Sequence, residues 1–88
     1  MERTTIISKL KNYISDEILD GRDAGLDAHT PLLEWGIINS LEIARLATFI
    51  HSCFDVELPE DRLIASNLRD LTSIAGLILD VRKQFLAE

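Results

Sequence analysis

The chain has 88 residues, of which 47% are hydrophobic, 27% charged and 6% aromatic, so it can form one small domain with a mainly aliphatic core. Its net charge is −6, and residues 27–61 carry seven acids and one base; this argues against binding to nucleic acid or an anionic membrane and favours partners with a basic docking patch. The sequence contains one cysteine, no signal-peptide core and no long apolar window. These features predict a cytoplasmic protein that has no internal disulfide and no membrane span.

The first predicted element is a helix over about residues 3–19. Its apolar residues recur at spacings of three and four and are Ile7, Leu10, Ile14 and Ile18. This spacing predicts one face that packs on the core. Thr4 or Thr5 could cap the helix, and Gly21 fits its end.

A long loop is predicted from about Asp20 to Asn39, since Gly21, Gly25 and Pro31 make a continued helix improbable. Loops of this length are uncommon in compact domains, so we expect apolar side chains to hold it against the helices. The expected anchors are Leu26, Leu32, Leu33, Trp35 and Ile37.

The second helix is predicted to begin at Asn39 or Ser40, both of which are favourable caps, and to run to about Cys53. Its core residues are expected to be Ile43, Leu46, Ile50 and Phe54. A short third helix is predicted near Pro59, which suits a first helical turn.

The last helix is predicted over roughly residues 71–85, capped by Asp70 or Thr72. Its apolar register is Leu71, Ile74, Ile78, Val81 and Phe85. The sequence therefore predicts an all-α fold in which four helices, one of them short, share a single small core over residues 1–88.

Ser40 has no partner that would make it a catalytic nucleophile. The only histidines are His29, in the loop, and His51, three helical turns further along, and no Gly-x-Ser-x-Gly elbow is present. Considered without its sequence context, Ser40 is best explained as a helix cap that contributes about 1 kcal/mol to the stability of the fold. No catalytic residue is predicted.

A metal site is not predicted either. The two histidines and Cys53 lack the spacing of known ligand sets, and Cys53 is expected to be a small buried hydrophobic residue. A calcium loop would need a glycine and regularly spaced oxygen ligands, which the acids after the second helix lack. Those acids are Asp55, Glu57, Glu60 and Asp61.

The stretch "LLEWGIINSLEIARLATFIHSCFDVELPED" resembles the carrier proteins of fatty-acid, polyketide and nonribosomal-peptide synthesis. Their shared pattern is approximately Gly-x-(Asp/Asn)-Ser-(Leu/Met), a helix, and then Phe-x-(Val/Ile)-x-(Leu/Ile)-Pro. The residues in register are Gly36, Asn39, Ser40, Leu41, Phe54, Val56, Leu58 and Pro59. Each motif is weak alone, but together with the size and acidity they are fairly specific, and the four-helix bundle of that family matches the predicted helices over the whole chain.

The resemblance implies that Ser40 is esterified with 4′-phosphopantetheine, which a phosphopantetheinyl transferase takes from coenzyme A. The thiol of the arm would hold an acyl group as a thioester and present it to successive enzymes. A hydroxyl at a helix start suits this role, because the positive end of the helix favours an attached phosphodiester. The transferase activates the serine, so no neighbouring base is needed, and the chain is expected not to be an enzyme.

Docking to partner enzymes is assigned to the loop end and the exposed stripe of the second helix. Leu41, Ala44 and Thr48 share the side opposite to the apolar face, with Glu42 and Arg45 beside it. The full predicted set is Trp35, Ile38, Asn39, Leu41, Glu42, Ala44, Arg45 and Thr48. A monomer is expected.

Two residues depart from the common pattern of the family. Asn39 stands where many members have aspartate, which removes a charge beside the attachment site and affects the preference of the transferase. Trp35 stands where most fatty-acid carriers have an acidic or small residue. "LLEWGIINSL" instead resembles free-standing carriers of aminoacyl or aryl groups.

Within that subgroup the likeness is to the prolyl carriers on which proline becomes pyrrole-2-carboxylate. The resemblance then implies that an adenylation enzyme loads L-proline, a flavin dehydrogenase oxidises it, and an acyltransferase or ketosynthase removes it. A carrier of polyketide or fatty-acid type, loaded by an acyltransferase, is the alternative. An unmodified helical adaptor is the alternative of another class, and its partner binding would survive Ser40→Ala.

Overall fold

The computed structural model describes residues 2–19, 21 and 25–87, and side chains through residue 84. Every regular element in these ranges is helical. In chain order they are α1 (Arg3–Tyr13), a π-helical segment (Ile14–Ile18), α2 (Ser40–Phe54), a 3-10 turn (Glu60–Arg62) and α3 (Leu71–Ala87). The prediction of an all-α fold is confirmed, and the short third helix is the 3-10 turn. No helix in the described ranges is long and apolar enough to cross a membrane.

Helix α1 packs on the core through Ile6 and Leu10, and the π-helical segment that continues it packs through Ile14; all three residues are completely buried. The predicted face is therefore correct at Leu10 and Ile14 but is centred on Ile6, and Ile7 is only partly buried. Glu2 precedes the helix without a side-chain cap, so the prediction of a threonine cap is wrong. The helix begins at Arg3, which places both threonines inside its first turn.

The π-helical segment ends at Ile18, close to the predicted end of the first helix, and Gly21 follows it as expected. The Gly21 N–H donates to the Ser15 carbonyl at 2.6 Å, and the positive φ of Gly21, 80°, suits glycine. Within the segment the Leu19 N–H donates to the Ile14 carbonyl at 2.9 Å, five residues back.

The loop is held by both apolar burial and hydrogen bonds. Leu26 and Leu32 are buried as predicted. The Leu32 N–H donates to the Arg69 carbonyl at 2.8 Å, just before α3. Trp35 is 61% exposed, so its assignment as an anchor is wrong. It lies in a tight turn, where its N–H donates to the Pro31 carbonyl at 3.0 Å, and its side chain is left outside the core.

A second contact ties the loop to the start of α3. The Ala28 carbonyl accepts from both the N–H and the hydroxyl of Thr72, at 3.1 and 3.0 Å. Nearby, the His29 N–H donates to Asp27 at 2.8 Å and lowers the pKa of that carboxyl. These bonds fix the loop relative to α3, although it contains no helix or strand within its described residues.

Helix α3 is capped by Asp70, whose Oδ1 accepts from the Ser73 N–H at 2.8 Å. Its buried residues include Leu71, Ile74 and Ile78, as predicted. Val81 is partly buried, and the side chain of Phe85 lies outside the described residues. Helix α3 packs directly against α1, and buried residues of all three long helices belong to one mainly aliphatic core.

Candidate functional site

Ser40 is the first residue of α2, and its side chain is exposed. The cap is Asn39, whose Oδ1 accepts from the Leu41 N–H at 3.0 Å and the Glu42 N–H at 3.2 Å. Of the two candidates for this role, the structure selects Asn39 and not Ser40. Within the described part of the chain the Ser40 hydroxyl has no hydrogen-bond partner, so it is free to accept a covalent group.

No base stands beside Ser40. His51 is eleven residues further along α2, which corresponds to about 16 Å along the helix axis. His29 lies in the loop, where its N–H donates to Asp27. General-base catalysis requires a partner within hydrogen-bonding distance, and the described residues place none at the hydroxyl. The arrangement therefore suits a serine that another protein modifies.

The electrostatics of the helix start favour an anion. The N–H groups of the first turn carry the partial positive charge of the helix. Two of them are already taken by Asn39, while the Ser40 N–H has no acceptor within the described residues. Asn39 brings no charge of its own, so it adds no repulsion to a negatively charged group on Ser40.

Most of the residues predicted to dock partners form an exposed surface beside Ser40. Leu41 is 69% exposed, and Trp35 is similarly open. The other exposed members are Asn39, Ala44, Arg45 and Thr48. Two large apolar side chains, of Trp35 and Leu41, and the cation of Arg45 are therefore exposed within five residues of the serine along the chain.

Two members of the predicted docking set are placed differently. Ile38 is 2% exposed and belongs to the core, and its N–H donates to the carbonyl of Leu32, another core residue, at 3.3 Å. Its assignment to the docking surface is therefore wrong. Glu42 is half-buried, and its Oε2 atom is buried without a hydrogen-bond partner among the described residues.

Cys53 is exposed, so its predicted burial is wrong. It lies at the edge of the apolar face of α2. The stacked rings of Tyr13 and Phe49, with centroids 4.1 Å apart, fill the interface between α1 and α2 there. Cys53 is left on the rim of a shallow recess beside them. Among the described residues, no group of three or more His, Cys, Asp or Glu side chains could hold a metal ion.

Thr72 has a role that the sequence did not indicate. It was a candidate cap for α3, but that position belongs to Asp70, and Thr72 instead binds the Ala28 carbonyl. The two residues are 44 positions apart. A local sequence pattern carries no information about such a pairing.

Replacing Asn39 with alanine is expected to destabilise the protein by about 0.5–2 kcal/mol, since two N–H groups at the start of α2 lose their acceptor. Urea unfolding measures the change. Asn39→Asp is the matched control and should keep most of the stability, because aspartate caps equally well. An alanine variant as stable as the parent would contradict the assigned cap.

Comparison with known proteins identifies the family. The chain is 34% identical to the probable acyl carrier protein PigG of Serratia sp. (strain ATCC 39006) over 71 residues, which are 81% of this chain and 82% of the relative. No protein-family model matches it.

A solved structure also matches the fold. It is described as the crystal structure of an FAD-dependent dehydrogenase, and its matching chain aligns with a TM-score of 0.74 at 32% identity. The alignment covers 78% of this chain and 97% of that one, so the matching chain is itself no larger than a small domain. Together with the relative, this shows that the chain belongs to the acyl carrier proteins, which hold groups for enzymes and are not enzymes themselves.

Proposed function

We propose that Ser40 carries 4′-phosphopantetheine, transferred from coenzyme A by a phosphopantetheinyl transferase. The observation that carries this proposal is the exposed hydroxyl at the first residue of α2, which takes no part in capping because Asn39 does so. A serine that capped the helix would have to give up its hydrogen bond on modification. Ser40 has no such bond to lose within the described residues.

The surroundings of Ser40 fit the phosphodiester that would join the arm to it. The positive end of α2 and the unbonded Ser40 N–H both favour a negative charge there. When attached, the arm would supply a thiol that holds an acyl group as a thioester. The protein's own residues would keep the attachment point exposed and offer docking surface around it.

Modification is tested by the intact mass of the protein after incubation with coenzyme A and a broad-specificity transferase. A gain equal to one phosphopantetheine is expected. Failure to gain mass with several different transferases would overturn the proposal and would favour an unmodified helical adaptor.

For the cargo we propose L-proline, which is oxidised on the arm to pyrrole-2-carboxyl. Two observations support this over a fatty-acid or polyketide cargo: Trp35 is exposed five residues before Ser40 in the chain, and a chain of similar fold and small size occurs in a structure described as an FAD-dependent dehydrogenase. The partners would then be a proline adenylation enzyme, a flavin dehydrogenase, and an acyltransferase or ketosynthase that removes the product.

The cargo is tested by loading the modified protein with a proline adenylation enzyme, ATP and L-proline, followed by a flavin dehydrogenase. The mass of the ejected arm should first show prolyl and then pyrrolyl thioester. Loading with malonyl groups by an acyltransferase, together with no loading by proline, would favour the polyketide alternative.

The docking surface proposed for these enzymes is made of Trp35, Asn39, Leu41, Ala44, Arg45 and Thr48, with Glu42 at its edge. Leu41→Ala is expected to lower kcat/KM of the transferase or adenylation enzyme about tenfold, because a large exposed apolar side chain next to the reacting group is a typical binding hot spot. Steady-state kinetics with the variant as substrate measures the effect.

The matched control is Ser52→Ala, an exposed position at the other end of α2. It should leave kcat/KM within about twofold. Equal losses in the two variants would show that the surface near Ser40 has no special part in docking. Far-ultraviolet circular dichroism should be unchanged in both, since neither side chain is buried.

A further inference from the structure

The side chain of Asn39 has a free hydrogen-bond donor beside the proposed attachment point. Its Oδ1 atom accepts from the Leu41 and Glu42 N–H groups at 3.0 and 3.2 Å. In an amide side chain only the oxygen accepts hydrogen bonds, so these two bonds fix which way round the amide lies. The Nδ2 atom therefore points away from the N–H groups of α2. Asn39 is exposed, and its Nδ2 atom has no hydrogen-bond partner within the described residues.

The chain offers no other nitrogen donor on a side chain close to Ser40. Among residues 36–44, Asn39 is the only residue with nitrogen in its side chain. The next is Arg45, five residues after Ser40, and this spacing turns it by about 140° around the helix axis relative to Ser40. The amide of Asn39 is therefore the side-chain donor best placed to reach a group attached to the Ser40 hydroxyl.

This donor is held in place before any phosphate is attached. The two bonds to α2 already order the Asn39 side chain, so a further bond from Nδ2 costs little additional side-chain entropy. A phosphodiester is anionic, and hydrogen bonds to an ionised acceptor are shorter and stronger than neutral ones. Its position would be set by the covalent bond to Ser40. The pairing therefore does not depend on the affinity of the helix start for free anions.

We propose that Nδ2 of Asn39 donates a hydrogen bond to the phosphate of the arm on Ser40, and so positions the first part of the arm against the start of α2. This inference rests on the proposed modification of Ser40. An aspartate at position 39 would keep the cap, but a second carboxylate oxygen would replace the donor and repel the phosphate. Asn39 is thus a positioning residue for the arm, in a role that aspartate could not fill.

The proposal is tested by nuclear magnetic resonance on the ¹⁵N-labelled full chain, before and after incubation with coenzyme A and a phosphopantetheinyl transferase. Intact mass measures the extent of modification in the same sample. Exchange of the Asn39 side-chain NH2 protons with water is expected to slow about threefold or more on modification, because one of them becomes hydrogen-bonded to an anion. The side-chain NH2 group of Asn12, which is exposed on α1, should exchange at an unchanged rate.

A matched pair of variants tests the same bond from the phosphorus atom. In modified Asn39→Asp the transverse relaxation rate of the ³¹P signal is expected to fall about twofold, since the phosphate is no longer restrained. Aspartate caps a helix as well as asparagine, so the fold should be retained. Asn12→Asp makes the same change in net charge on α1 and should leave the ³¹P relaxation rate at the parental value.

Modification without slower exchange at Asn39 would overturn the inference and leave the attachment site intact. A parental ³¹P relaxation rate in Asn39→Asp would also overturn it, as would equal changes in the two variants, which would reflect net charge alone. Absence of the mass gain would instead refute the modification of Ser40, and this inference with it. The intact mass therefore separates the two kinds of failure.

Discussion

Ser40→Ala is expected to abolish completely the mass gain that the parent chain shows with coenzyme A and a phosphopantetheinyl transferase. The hydroxyl oxygen is the atom to which the phosphate would be joined, so its removal leaves no acceptor at the start of α2. The fold should be unaffected, because the side chain is exposed and has no hydrogen-bond partner within the described residues. Alanine is also a good helix former at this position. Intact-mass spectrometry measures the gain.

Ser52→Ala is the control for this result. Ser52 is also an exposed serine on α2, but it lies near the C-terminal end of the helix, away from the positive end. That variant should gain one phosphopantetheine as the parent does. A mass gain that persists in Ser40→Ala would place the attachment at another residue and refute the site. Unfolding of Ser40→Ala in urea at the parental midpoint would establish that loss of modification is not loss of fold.

Periodicity predicted most of the core residues that lie within helices. Leu46, Ile50 and Ile74 are buried where the spacing of three and four residues places them. For α1 the prediction placed Ile7 in the core, whereas the structure buries Ile6. The two are adjacent isoleucines, and the threonines before them suggested a helix cap that the structure does not have. The spacing of apolar residues within each helix therefore indicates which of its faces is buried.

The loop was less predictable because its conformation depends on distant partners. Trp35 is large and apolar, which favours burial, yet the turn from Pro31 to Gly36 leaves it outside. That turn is fixed by bonds between Leu32 and Arg69 and between Ala28 and Thr72. Such pairings across the chain have no signature in the residues themselves.

The position of Ser40 at the start of α2 was predicted more accurately than the exposure of the residues around it. Gly36, Asn39 and Ser40 follow a contiguous motif whose geometry is local, with an N-cap directly before an exposed serine. The docking surface instead depends on which loop side chains face outward. Ile38 was assigned to it and is buried. Its N–H donates to the carbonyl of Leu32, whose own N–H is bound to the distant Arg69 carbonyl.

Leu46→Ala is expected to lower the free energy of unfolding by about 2–5 kcal/mol. Leu46 is 1% exposed and lies in the middle of α2, where its side chain is part of the core. Truncation removes apolar contacts and leaves a cavity that the surrounding helices fill only in part. Small domains are stabilised by only about 5–15 kcal/mol in total, so the loss is a large fraction. Urea unfolding followed by circular dichroism measures it.

Leu41→Ala supplies the matched control, since it makes the same chemical change five residues earlier in the same helix. Leu41 is 69% exposed, so its truncation should change the stability by no more than about 0.5 kcal/mol. The two variants thus have opposite expected effects: Leu46→Ala weakens the fold, whereas Leu41→Ala weakens docking and leaves the fold intact. Equal unfolding midpoints for the two would contradict the register of α2, and with it the placing of Leu41 beside Ser40 on the exposed side.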